Sequence, residues 1–302
     1  MEWLLLALAS AVFAAVGAIV DKTIFNRYKN DPVSFQVIIA VANLPVLVGY
    51  YLIARPVLDA TTLAAAGVGA LMFLAIILYN KCMKKEDASR VVALSYLQPI
   101  IIFVLGFFLL GESGSVANVV GILLLILSAI LISYKRTGKA FRFENDILLM
   151  MLAYDVMVGI RYIVVRWSTG LSATPHTPLD MMFWILCGSQ VMAYATLVLS
   201  KQKRECFARE AKRMGFGGWA LREYGNLIDL LGVALLFYAL SLHSAAEISA
   251  LTAAQPFFVF LFSAIIFKLS PKTMHEDLGS ASIIQKLAAF ALIVLGSWLI
   301  VS

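Results

Sequence analysis

Two stretches decide the fold: Ala88–Phe103, ASRVVALSYLQPIIIF, and Ala245–Phe260, AAEISALTAAQPFFVF. Set 157 positions apart, they share Ala88/Ala245, Ala93/Ala250, Leu94/Leu251, Gln98/Gln255, Pro99/Pro256 and Phe103/Phe260, with mostly apolar-for-apolar exchange between. Both are apolar runs interrupted by one Gln-Pro step. The likeness continues downstream, where Leu127 falls on Leu295 and Ile132 on Ile300, now 168 positions apart. The change of offset implies 11 extra residues in the second half, around Pro271–Ala281. The chain therefore reads as one unit used twice.

What surrounds these stretches sets the medium. Of 302 residues, 62% are hydrophobic and 14% charged, with mean hydropathy +0.90, more apolar surface than a water-soluble core of this size can bury. Apolar runs long enough to cross a bilayer fall near 3–20, 34–53, 61–79, 89–110, 117–134, 147–165, 178–199, 226–243, 246–268 and 282–301. Long continuous runs in lipid predict helices, which satisfy their own backbone hydrogen bonds. The fold expected is an all-α integral membrane protein of ten transmembrane helices. The first run follows an acidic Met1-Glu2 start and is read as a span, not a signal peptide.

Ten spans divide into five and five, over 1–134 and 147–302, with the basic linker 135–146 between. Five is odd, so the halves enter the membrane in opposite senses, an inverted-topology pair whose shared interface lies near the midplane. The segments after spans one, three, five, seven and nine, with their flanking helix ends, hold 21 of the 24 Lys and Arg residues. The opposite face holds only Arg55, and Arg161 and Arg166 lie within the sixth span. The positive-inside rule makes the rich face cytoplasmic and both termini external, in a plasma or inner cell membrane.

The same placement explains the net charge of +6 without nucleic acid. Three scattered cysteines (Cys82, Cys187, Cys206) and three scattered histidines (His176, His243, His275) suggest no disulfide framework, metal site or cofactor. The partners expected are a small-molecule substrate and the bilayer, with a homodimer as the one protein assembly considered.

Ala88-Ser89-Arg90-Val91-Val92-Ala93-Leu94 leading to Gln98-Pro99, with Leu110-Gly111-Glu112 closing the fourth span, resembles the EamA family of the drug/metabolite transporter superfamily. Val20-Asp21-Lys22 is similar to a prokaryotic subgroup of it. The resemblance implies a secondary transporter in which spans one to four and six to nine enclose a central cavity, while spans five and ten support it from outside. It implies amino acids, other metabolites or drugs as substrates, often exported. The second half departs from the pattern, with Lys268-Leu269 where Gly-Glu would stand. The family is usually drawn with both termini inside, against the charge count.

Charge at membrane depth is the strongest residue-level signal, because an ionised side chain facing lipid there costs at least ~2.5 kcal/mol. Asp155 lies about 13 Å along the sixth span and shares a helical face with Gly159, Tyr162 and Arg166. Arg161 points elsewhere, with Tyr154, and is expected to meet Asp229 of the eighth span or an anionic group on a substrate. The alternative for these charges is an interhelical salt bridge. Gln98 and Gln255 each precede a proline that frees a carbonyl, at Ser95 and Thr252, suiting a cavity lining or an interhelical hydrogen bond. The substrate-binding set read from the sequence is thus Gln98, Gln255, Arg161 and Tyr162.

Asp155, with Asp229 and Asp21 behind it, is the candidate for carrying a coupling proton. Asp21-Lys22 ends the first span as a gate or as an interfacial anchor. Ser244-Ala245-Ala246-Glu247 reads as a capping box, and Lys201–Arg213 as a solvated loop or one resting on an anionic leaflet. Trp3 and Tyr50-Tyr51 read as interfacial belt. Asp21, Asp155 and Asp229 against Lys22, Arg161 and Arg166 favour a zwitterion such as an amino acid over a polyanion.

A secondary transporter is the leading function. A membrane-embedded enzyme would need a clustered acid/base or metal set, and no HExxH or GxSxG is present. A non-transporting receptor or scaffold would have no use for two inverted halves.

Overall fold

The computed structural model describes residues 2–28, 31–86, 88–111, 115–137, 140–143, 145–172, 175–269 and 279–301. Glu112 and most of the 11-residue insertion lie outside them. The first three spans are α1 (Glu2–Tyr28), α2 (Pro32–Ala54) and α3 (Ala60–Lys85). The fourth comprises α4 (Ala88–Leu94) and α5 (Gln98–Leu105), and the fifth is α6 (Val116–Ser133). The sixth to eighth are α7 (Asn145–Arg166), α8 (Pro178–Leu199) and α9 (Lys201–Leu242). The ninth comprises α10 (Ala245–Thr252) and α11 (Gln255–Leu269), and the tenth is α12 (Ser280–Val301). Among the described residues nine helical stretches are long and apolar enough to cross a membrane, and the fifth span adds the shorter run Val116–Ser128.

Helix starts follow local chemistry. Asp31, Asp59, Thr177 and Ser244 each accept a backbone N–H of the first turn, and Pro32 and Pro178 follow two of these caps. At Ser244 the expected box is half made. Glu247 N–H donates to Ser244 Oγ, but the Glu247 carboxylate lies 3.0 Å from His243 Nδ1. The two Gln-Pro steps break their spans alike: a 3-10 turn, Ser95–Leu97, separates α4 from α5, and a turn separates α10 from α11.

One sequence expectation changes here. The segment 201–213 is helical, the opening of α9, which runs to a break at Gly215 (φ +56°) before entering the membrane. Its inner face is held by Lys203 to Asp31 at 3.3 Å, Glu210 to the Asp31 N–H at 2.8 Å and Arg213 to the Tyr28 carbonyl at 2.7 Å. Within the linker region β1 (Tyr134–Thr137) pairs antiparallel with β2 (Ala140–Phe143).

The spans pair in a pattern that repeats when the first five are exchanged with the last five. Helix α1 packs along α9 as α3 packs along α7, and α3 on α8 as α2 on α9. Helix α6 lies against α12, away from the centre, with Val119, Leu123 and Leu127 and then Val294, Leu295 and Trp298 exposed to lipid. Glycine permits the closest seams. A Cβ on Gly188 would fall 2.6 Å from the Ala66 carbonyl carbon, and one on Gly225 would fall 2.6 Å from Val20 Cγ1.

Candidate functional site

A cavity of about 280 Å³ lies at the centre of the bundle, lined from spans one to four and six to nine, while α6 and α12 contribute nothing to it. This is the arrangement that the resemblance implies. Its walls are mostly apolar, including Met72, Ile76, Leu186, Val233 and Leu236. Polar groups enter at a few levels.

At one level the Gln-Pro breaks bring Ser95, Gln98, Thr252 and Gln255 to the cavity wall. Ser95 O, the carbonyl freed at the first break, accepts from the Gln98 N–H. The Tyr162 hydroxyl shares hydrogen bonds with Gln98 and Thr252, tying the fourth, sixth and ninth spans together. Three of the four expected substrate-binding residues thus meet, and the fourth, Arg161, follows one residue before Tyr162 in α7.

Arg161 also lines the cavity, with its guanidinium carbon 5.7 Å from the Tyr162 ring and 5.9 Å from the Phe237 ring. Its expected partner is taken: Asp229 lies 3.0 Å from Arg222. Among the described residues Arg161 forms no ion pair, and its Nε is buried without a hydrogen-bond partner.

Arg222 is the residue that sequence reading missed. It is wholly buried, pairs with both Asp21 and Asp229, and stacks 5.4 Å over the Phe35 ring. One guanidinium thereby clasps the first, second and eighth spans. Counting it with the basic loop hid it, yet two signals were available. Arg222 and Asp229 are seven residues apart, hence on one helical face. Gly218, Gly225 and Gly232 mark the same heptad, so helix and close packing begin well before 226. Gly17 seats this cluster, because a Cβ there would overlap Asp229 Oδ1 and stand 2.7 Å from its Cγ.

The other intramembrane charges serve elsewhere. Lys22 is buried and does not reach the interface; its Nζ donates to Met83 O at 2.6 Å and to Glu86 O, closing the end of α3. Arg166 Nη1 donates to Leu240 O at 3.1 Å and Ser241 O at 3.3 Å, closing the end of α9. Both act as helix C-terminal cations.

Asp155 departs from expectation most. It is fully buried and neither carboxylate oxygen has a hydrogen-bond partner, but it does not line the cavity. Its face turns to α5, as Gly159 one turn on shows, where a Cβ would meet Ile101 Cγ2 at 2.9 Å. Of the six intramembrane charges weighed, the cavity receives Asp21, Asp229 and Arg161.

Comparison with known proteins agrees with this architecture. No curated protein matches the sequence. One solved crystal structure superposes with a TM-score of 0.58 at 15% identity, over 97% of this chain and 98% of the other, a likeness of fold alone. The sequence profile of EamA-like transporters matches residues 1–134. Over residues 1–134 this multi-pass membrane protein is similar to the EamA-like transporters, a family of the drug/metabolite transporter superfamily.

Proposed function

We propose that the protein is a secondary active transporter of a small polar metabolite, an amino-acid-like zwitterion, which alternates access around the central cavity. The observation that carries this reading is the cavity's polarity, with the carboxylates Asp21 and Asp229 toward one end and the unpaired Arg161 toward the other. A volume near 280 Å³ falls just below the ~300–1,000 Å³ range of sites for drug-sized ligands, so it suits a small metabolite. The repeated pairing of spans supports two inverted halves that rock about this site. Gln98, Gln255 and Tyr162, at the two Gln-Pro breaks, are the proposed polar contacts for the substrate.

Coupling to protons belongs with Asp229 and Asp21 in this reading. These carboxylates face the cavity and share one guanidinium, so a proton and a substrate cation can act on the same cluster. Asp155, sealed against α5, is kept as a buried polar residue outside the transport path. The basic face is proposed as cytoplasmic in the cell membrane, with both termini outside.

The test is counterflow in proteoliposomes. Purified protein, loaded with an excess of unlabelled amino-acid-like solutes, should accumulate the labelled solute transiently above the level of protein-free vesicles. A solute that binds, as seen by thermal shift, yet shows no counterflow would replace transport with a binding-only role.

A further inference from the structure

The two charged ends of the cavity constrain the length of what fits between them. At the acidic end, Asp21, Asp229 and Arg222 carry a formal charge of −1 between them, and the cavity-lining members are the two acids. Two further acceptors face the same space without donors. Gln36 Oε1 and Asn43 Oδ1 are buried, at 2% and 5% exposure, and neither has a hydrogen-bond partner. Asn43 stands 11 residues into α2, and Gly17, beneath Asp229, stands 11 residues before the end of α1. Both therefore lie about 16 Å from the same face of the bundle. At that level Asp229 and the bare Asn43 oxygen present acceptors, beside one unpartnered donor, Asn226 Nδ2, and a primary ammonium offers three donors. At the other end Arg161 lacks only an anion.

Two helices measure the gap. In α7, the Tyr154 ring stands 5.4 Å, centroid to centroid, from that of Tyr79, which lines the cavity with Asp21 and Asp229. Arg161 comes seven residues later, about 10 Å of rise. In α9, Asp229 and Phe237, the ring beside Arg161, are eight residues apart, about 12 Å. Subtracting ~3 Å of charge-assisted contact at each end leaves ~4–6 Å between the ligand's own charges. An α-amino acid spans two bonds from nitrogen to carboxylate carbon, about 2.5 Å, and each further extended carbon adds about 1.3 Å.

We propose that the substrate is an ω-amino-acid-type zwitterion, with two to four carbons between ammonium and anion, its ammonium on Asp229 and the Asn43 amide oxygen and its anion on Arg161. Met72, Val233 and Leu236 supply an apolar wall for the intervening methylenes. This rests on the reading of the cavity as the transport site, and it fixes both the length and the polarity of the bound molecule.

The experiment uses the full chain, purified in detergent or nanodiscs, titrated calorimetrically with the unbranched series from glycine to aminohexanoate. Butylamine and butyrate serve as single-ended probes. Affinity should peak at two to four intervening carbons, about tenfold or more above glycine. Arg161→Gln should abolish the length optimum while butylamine binding persists, and Asp229→Asn should do the converse with butyrate. An α-amino acid binding as tightly as the longer members would overturn the proposal. So would an Arg161→Gln protein that keeps the optimum, or a parent that binds none of the series. The parent series decides even where a variant fails to fold. If α-amino acids show counterflow and no length optimum exists, this inference falls and the transport reading stands. If the optimum exists but no member is moved, the site assignment stands and transport falls.

Discussion

Gly17→Ala probes the seating of the charge cluster. The new methyl would occupy the position of Asp229 Oδ1, with Asp229 Cγ at 2.7 Å and Oδ2 at 3.2 Å, so the carboxylate must leave its place. Backbone cannot give way easily, because Gly225 and Gly232 hold α9 against α1 on either side, with a Cβ at either meeting Val20 Cγ1 at 2.6 Å or Phe13 Cβ at 3.1 Å. Overpacking of this kind costs about 1–3 kcal/mol. Displacing Asp229 also removes its 3.0 Å contact with Arg222, a charged hydrogen bond whose loss costs about 1.5–3 kcal/mol. The expected total is about 2.5–6 kcal/mol, a fall in melting temperature on the order of 4–12 °C for a chain this long. The control is Asp229→Ala, which clears the space. In that background Gly17→Ala should cost about 1 kcal/mol or less, so the pair is non-additive by at least ~1.5 kcal/mol. Thermal denaturation of the four proteins, followed by fluorescence-detected size exclusion, measures the cycle. Equal costs in both backgrounds, or a single variant within 1 °C of the parent, would refute the assigned packing of Asp229 over Gly17.

Three further outcomes follow from the same geometry. Arg222→Gln should destabilise the protein by about 3–5 kcal/mol, as expected when one partner of a buried ion pair is removed, and Arg222→Lys should recover little because one ammonium cannot reproduce the fork; a lysine variant as stable as the parent in thermal denaturation would show that geometry is unimportant there. Gln98→Ala and Gln255→Ala should each weaken binding of the best zwitterion while leaving stability within about 1 kcal/mol of the parent, as measured by calorimetry and melting; unfolding without a binding defect would make them structural. With Cys82, Cys187 and Cys206 replaced, a single cysteine at Ala60 should react with an impermeant maleimide on intact cells, and one at Gln202 only after permeabilisation; the reverse pattern would place both termini inside.

The medium, the number of spans and the family were legible in the sequence because each depends on local properties. Hydropathy over about 20 residues marks a span whatever its neighbours, and the Ala88–Phe103 and Ala245–Phe260 likeness survives as a string. The prolines located both breaks, and Gln98, Gln255, Tyr162 and Arg161 line the cavity. Partnership was a different matter. Arg161 and Asp229 looked like partners because both are intramembrane charges, whereas Arg222, seven residues from Asp229 on the same helical face and opposite Asp21, takes both acids. Asp155 shares a helical face with Tyr162, yet about 20° of drift per heptad and the position of α5 suffice to send one into a sealed seam and the other into the cavity. Helical periodicity fixes which residues share a face, but what that face meets is set by how ten helices pack. That packing depends on contacts between residues about 200 positions apart, such as Gly17 with Asp229, which no local pattern encodes.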